Sequence, residues 1–276
     1  MLDDNKQEVV VANEVRAESQ SEGRYLYCVA DSGERADLGK IGLECKEVYT
    51  IPLLDLCAVV HNCPSQPYRS DDNEVLKGWI INHEKVVEAA WERFGTVLPL
   101  AFDTIVKGEG DINPEENIKN WLKEDYANLK ERMDKIRGKA EYGVQIFWDP
   151  EFIADEIARV NEEIKNLNEE IKSKPKGMAY MLKQKLENLL KKEMDKKADI
   201  CFKDFYARIR KCVDVIRVGK TKKIDEKKQM LMDLSCLLDK EKSKELGEEL
   251  EKINMEEGFS VRFTGPWPPY SFVAFG

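Results

Sequence analysis

Between positions 153 and 171 the apolar residues step by 4, 3, 4, 3 and 4: Ile153, Ile157, Val160, Ile164, Leu167, Ile171. Only a helix gathers that spacing onto one side, and a seven-residue repeat makes the side a narrow seam that needs a partner. The stripe predicts about 34 Å of helix at 1.5 Å per residue. Lys174-Pro175-Lys176-Gly177 breaks it, and a second apolar series follows: Met178, Met181, Leu182, Leu186, Leu189, Leu190. The pair reads as an antiparallel helical hairpin, with helix continuing through Phe202, Phe205 and Ile209. Two uses of the seam stay open. It packs within the chain against its own sheet, or it protrudes and docks a partner or a second copy.

The hairpin interrupts a mixed pattern. Glu141–Asp149 alternates, with Tyr142, Val144, Ile146 and Trp148 on one face, as a half-buried strand does. After the hairpin come strand candidates at 212–218 and 230–238, a helix between 239 and 258 with Leu246, Leu250 and Ile253 inward, and a strand at 259–264. Without the insertion (about 151–210) this is β-α-β-β-α-β, the ferredoxin-like order. Upstream, Arg24–Ala30 is apolar and aromatic on both faces and reads as a buried strand; strands follow near 48–53 and 56–61. Leu76, Trp79, His83, Val87, Ala90 and Phe94 mark a helix over 73–94, with Asp71 or Asp72 as cap and Gly95 as stop. Thr96–Phe102 reads as a short strand, with Pro99 arguing for an edge, and a second helix runs from Asn113-Pro114 to about Arg137. The fold class is therefore α+β in two domains: an N-terminal α+β domain over 23–138, and a modified ferredoxin-like domain with an inserted helical hairpin over 139–276. Residues 1–22 read as a disordered acidic tail.

Charge removes several functions. The net charge is -9. It divides into -11 over residues 1–150 (18 Lys+Arg, 29 Asp+Glu) and +2 beyond (26 against 24). Neither half is a basic surface for nucleic-acid phosphates or an anionic bilayer. No apolar run approaches the ~20 residues of a membrane-spanning helix, and the polar start does not read as a secretory signal. Seven Cys, an odd number without a CxxC, read as reduced cytoplasmic thiols.

Catalytic candidates are few. The chain has two His, His61 and His83. His83 falls on the apolar stripe of its helix, where a hydrogen-bonded core imidazole is the plainer reading and a catalytic base the sharper one. Cys57-x3-His61-x-Cys63 offers three zinc-ligand types, but in a strand Cys57 and His61 lie about 13 Å apart, too far for one ion. Gly33, Gly39 and Gly42 form no phosphate-binding loop. No catalytic, cofactor or metal residue is assigned. The least random segment is Gly265-Pro266-Trp267-Pro268-Pro269-Tyr270-Ser271-Phe272. Its prolines stiffen an extended backbone. One reading is a polyproline ligand for an aromatic groove. The other is a folding lock, in which Trp267, Tyr270 and Phe272 pack back on the domain; a fully buried Trp267 would then be worth about 3–5 kcal/mol.

Several of these segments together resemble the gas vesicle protein F/L family. They are Tyr25-Leu26-Tyr27; the helix with His83; Thr96-Val97-Leu98-Pro99 with Phe102 and Thr104; Glu141–Trp148; and Gly265–Phe272. The resemblance covers about residues 24–273. It departs at Ala101 and Asp103, where the family usually carries a basic residue and a Gly. The resemblance implies two α+β domains and a minor, non-enzymatic component of gas vesicles. It also implies contact with the small hydrophobic main wall protein and with other minor gas vesicle proteins during shell nucleation and assembly, on the gas-facing side of the shell in the cytoplasm. Neither cofactor, nucleic acid nor lipid membrane is expected. The stripe Ile153, Ile157, Val160, Ile164, Leu167 and Ile171 is the expected partner-binding face. The alternatives are an enzyme or small-molecule-binding protein on a ferredoxin-like domain, and a general helical adaptor.

Overall fold

The computed structural model describes residues 22–221 and 228–273. The expected acidic tail lies outside the described residues up to position 21, and Glu22 already belongs to the first strand. In chain order the elements are β1 (Glu22–Ala30), β2 (Asp37–Gly39), β3 (Val48–Leu53), β4 (Leu56–Pro64), α1 (Asn73–Phe94), β5 (Val97–Pro99), β6 (Ile105–Lys107), α2 (Pro114–Glu124) and α3 (Tyr126–Ile136). Then follow β7 (Lys139–Trp148), α4 (Pro150–Val160), α5 (Glu162–Ser173), α6 (Lys176–Cys212), β8 (Val215–Val218), β9 (Gln229–Asp239), α7 (Ser243–Asn254) and β10 (Phe259–Trp267).

The first sheet has the order β2-β3-β4-β1-β5, and β6 also pairs with β1. β1 is apolar on both faces because both are covered. Tyr25, Tyr27, Cys57 and Val59 share a core with Val86, Val87, Ala90 and Trp91 of α1. Leu26, Val29, Ala58 and Val60 share another with Ile118 and Leu122 of α2 and Leu129, Met133 and Ile136 of α3. Asp72 caps α1 by accepting from the Glu74 N–H at 2.8 Å, and Gly95 ends it at φ +78°. The helix expected over 114–137 is two, divided at Asp125, and the turn lets both halves bury a stripe on the same sheet face. Lys130 of α3 reaches Asp31 at 2.6 Å and Asp55 at 2.8 Å, and Arg137 also pairs with Asp31.

The second sheet is antiparallel with the order β10-β7-β9-β8. In sequence terms that is fourth, first, third, second, the ferredoxin-like arrangement. Ala140, Tyr142, Val144, Ile146, Met232, Leu234 and Cys236 pack with Phe205 and Ile209 of α6 and Leu246, Leu250 and Ile253 of α7. Arg208 of α6 binds Glu249 and Glu256, each at 2.6 Å, and ties the two helices together. The sheets meet where Leu237 and Val273 enter the core that holds Leu26, Leu98 and Met133.

Three more expectations change. The heptad helix is not continuous: Asn161 leaves helical geometry (φ -87°, ψ 111°) and its side chain caps α5 through the Ile164 N–H at 3.2 Å. Cys212 ends α6 instead of opening a strand, and β8 starts at Val215. β10 runs on to Trp267, past the expected end at 264. No described helix is long and apolar enough to cross a membrane.

Candidate interaction surfaces

The segments that mark the N-terminal half meet in one buried hydrogen-bond network. The Tyr25 hydroxyl lies 2.9 Å from His83 Nδ1, and His83 Nε2 lies 3.2 Å from the Leu100 carbonyl, just after Thr96–Pro99. A carbonyl only accepts, so Nε2 carries the proton and Nδ1 accepts from Tyr25. Tyr25 in turn accepts from the Asp103 N–H at 3.0 Å. A parallel relay holds His61. Tyr27 Oη is 2.8 Å from Nδ1 and Tyr68 Oη is 3.0 Å from Nε2, while the Leu43 N–H donates to Tyr27 at 3.0 Å. Burial drives the pKa of both imidazoles down to about 4, with Lys46 adding to the effect at His61. Both rings are neutral near pH 7, and both nitrogens of each face internal partners. Neither has a free atom with which to move a ligand's proton. Burial pushes the Cys57 thiol up to about 12, so it stays protonated near pH 7. The sequence flagged both His but not this wiring, because His61 and Tyr68 are joined only by the loop after β4.

Asp103, one of the two family departures, sits at φ +67°, a conformation that glycine adopts most freely. Asp is among the side chains that tolerate it, and here its Oδ1 accepts the Tyr68 N–H at 2.9 Å. Ala101, the other departure, is exposed.

The terminal segment works differently from the expected lock. Gly265, at φ +113°, passes so close to β7 that a Cβ would lie 2.8 Å from the Glu141 carbonyl oxygen. The resulting bulge brings Trp267 opposite Glu141. The chain then folds inward: Pro268 and Pro269 are buried, and Val273 is fully enclosed. The Ser271 N–H and hydroxyl both donate to the Glu141 carboxylate. Tyr270 and Phe272 each pack against a core. Trp267 does not; it is 46% exposed. The lock is therefore the segment 268–273 without its tryptophan, and buried prolines rule out a free polyproline ligand. Trp267 instead lines a groove of about 470 Å³ with Pro268, Tyr270, Ile81, Glu84, Lys85 and Glu88.

The heptad stripe divides. Ile153, Ile164 and Leu167 are buried, because α4 and α5 fold back along α6. As an open docking face these three are corrected. Ile157 and Ile171 are half-buried, and Val160, at the break before Asn161, is 76% exposed. Lys185 pairs with Glu163 at 3.7 Å across the hairpin, fixing an antiparallel register about Lys174-Pro175. Beyond that turn Met178, Tyr180 and Met181 are exposed, as is Ile200 farther along α6.

The family model described as "Gas vesicle synthesis protein GvpL/GvpF" matches residues 23–274. The chain belongs to this gas vesicle protein family. It is similar to gas vesicle protein L1 of Halobacterium salinarum, 32% identical over 278 residues, covering 97% of this chain and 95% of that protein. Gas vesicle protein L of Haloferax mediterranei is 28% identical over 305 residues, covering 97% and 93%. The fold matches the crystal structure of gas vesicle protein GvpF from Anabaena sp. at a TM-score of 0.75 and 22% identity, covering 93% of this chain and all of that one (100%). The α+β fold and a gas vesicle role are thereby shown.

Proposed function

We propose that this chain is a non-enzymatic structural and assembly component that contacts the main gas vesicle wall protein, with other minor gas vesicle proteins, during shell nucleation, on the gas-facing side of the shell. Assembly would take place in the cytoplasm, without cofactor, nucleic acid or lipid membrane. Small shell subunits carry apolar surface that aggregates when free, so they need a temporary cover. The observation that supports this role is the set of exposed apolar side chains on these helices: Val160 at the end of α4, and Met178, Tyr180 and Met181 in the first turns of α6, with Ile157 and Ile171 half-buried. Exposed aliphatic and thioether side chains suit a conformable apolar partner. We also propose a division into units 23–138 and 139–276, with the second carrying the contact.

The test is affinity for purified wall protein. Val160→Asp/Met181→Asp alters two side chains that are more than 70% exposed, at 76% and 72%. It should leave the fold intact and weaken binding at least tenfold. Unchanged affinity in the folded double variant would remove the hairpin from the interface.

A further inference from the structure

The groove beside Trp267 has a chemistry of its own. Ile81, Glu84, Lys85 and Glu88 occupy positions i, i+3, i+4 and i+7 of α1, a single outward stripe distinct from the His83–Val87–Ala90 stripe that faces the sheet. Across from them stand Trp267, Pro268 and Tyr270. Of the five tryptophans, Trp267 alone is exposed. Elsewhere the chain gives its aromatic faces cations of its own: Lys240 lies 3.7 Å from the Trp91 ring centre, and Arg208 and Arg217 lie 5.5 Å from those of Phe205 and Phe272. Trp267 has no such cation among the described residues. The acidic wall is likewise unspent. Glu74 of α1 is paired with Lys77 at 2.6 Å, whereas Glu84 and Glu88 form no ion pair or hydrogen bond among the described residues. The hydroxyl of Tyr270 is buried with no hydrogen-bond partner among them. Burial, and then the Cys28 thiol and the Glu84 and Glu88 carboxylates, push its pKa up, so it stays protonated.

An indole face and two unpaired carboxylates one helical turn apart, in a groove lined by Pro268 and Tyr270, make a site for a planar cation. We propose that this groove receives an arginine, flanked by apolar residues, from a segment of another protein. The guanidinium stacks on Trp267 and donates to Glu84 and Glu88, a geometry that suits arginine better than lysine. One side chain fills only part of about 470 Å³, so the flanking apolar residues lie on Ile81 and Pro268. With two carboxylates against one Lys85, the groove carries the complementary charge. This inference does not depend on the wall protein being the partner, and the groove is separate from the hairpin face.

The experiment follows the indole N–H resonance of Trp267 in the full chain, assigned by its loss in Trp267→Phe. The probes are acetyl-Leu-Arg-Leu-amide and the same peptide with citrulline, which keeps the shape and removes the charge. The arginine peptide should shift the Trp267 signal saturably, and citrulline should bind at least tenfold more weakly. Glu84→Gln/Glu88→Gln, at surface positions that leave the other four indole signals in place, should weaken the arginine peptide to the citrulline level. Equal binding of the two peptides, no saturable shift, or full affinity in the Gln variant would each overturn the proposal.

Discussion

Lowering the pH from 8 to 4.5 protonates two imidazoles in the unfolded chain that the fold holds largely neutral. His61 and His83 are buried, with pKa values pushed down from 6.5 to about 4. Because the folded values lie below the unfolded one, the unfolded chain binds more protons throughout the window from about pH 6.5 to about pH 4. Stability is therefore fully present above pH 6.5, falls as the pH drops through the window, and levels off below it. At pH 4.5 the loss is on the order of 2–3 kcal/mol for each ring, or about 5 kcal/mol together. Against a typical total of about 5–15 kcal/mol, that is a large share. Carboxylates with lowered pKa values, such as Asp214 beside Lys139, lose their contribution at lower pH still. Urea unfolding at several pH values measures the total. Because the chain has two His, proton NMR of the ring C–H signals reads each pKa directly. Both signals should stay at their neutral positions down to about pH 5. A ring that titrates near 6.5, or a stability flat between pH 7 and 4.5, would refute the buried relay.

Three further predictions concern backbone sites. Gly265→Ala meets the Glu141 carbonyl oxygen at 2.8 Å in an unfavourable φ, and should cost about 2–4 kcal/mol in unfolding free energy. Gly78→Ala, inside α1 with nothing within 4 Å, should stabilise by roughly 0.5–1 kcal/mol in the same assay. Asp103→Val puts a β-branched residue at φ +67° and orphans the Tyr68 N–H; thermal melts should show a loss of about 2–3 kcal/mol, with Asp103→Gly milder.

What could be read from the sequence followed from periodicity. The helix over 73–94 and its cap and stop matched the structure because one apolar face, a capping Asp72 and Gly95 all pointed to the same ends. The ferredoxin-like order survived a long insertion because alternation in β7 and the α7 stripe are local signals. Where two local signals competed, the weaker-looking one won. Asn161 sits inside the heptad and its side chain is a good cap, so the helix breaks there and turns Val160 outward. In the lock reading Trp267 packs inward, yet the Gly265 bulge and the following prolines bury the backbone after it and leave the indole out. The Tyr27–His61 and Tyr25–His83 bonds join residues 34 and 58 positions apart, and Trp267 faces α1 residues 179 (Glu88) to 186 (Ile81) positions away; pairings at that range leave no mark in a local pattern.

The most direct measurement is binding of the purified full chain to the main gas vesicle wall protein, followed through a concentration series. The account predicts saturable, stoichiometric binding that the 139–276 fragment, once shown to be folded, retains and that Val160→Asp/Met181→Asp weakens. No saturable binding by the folded full chain would contradict it.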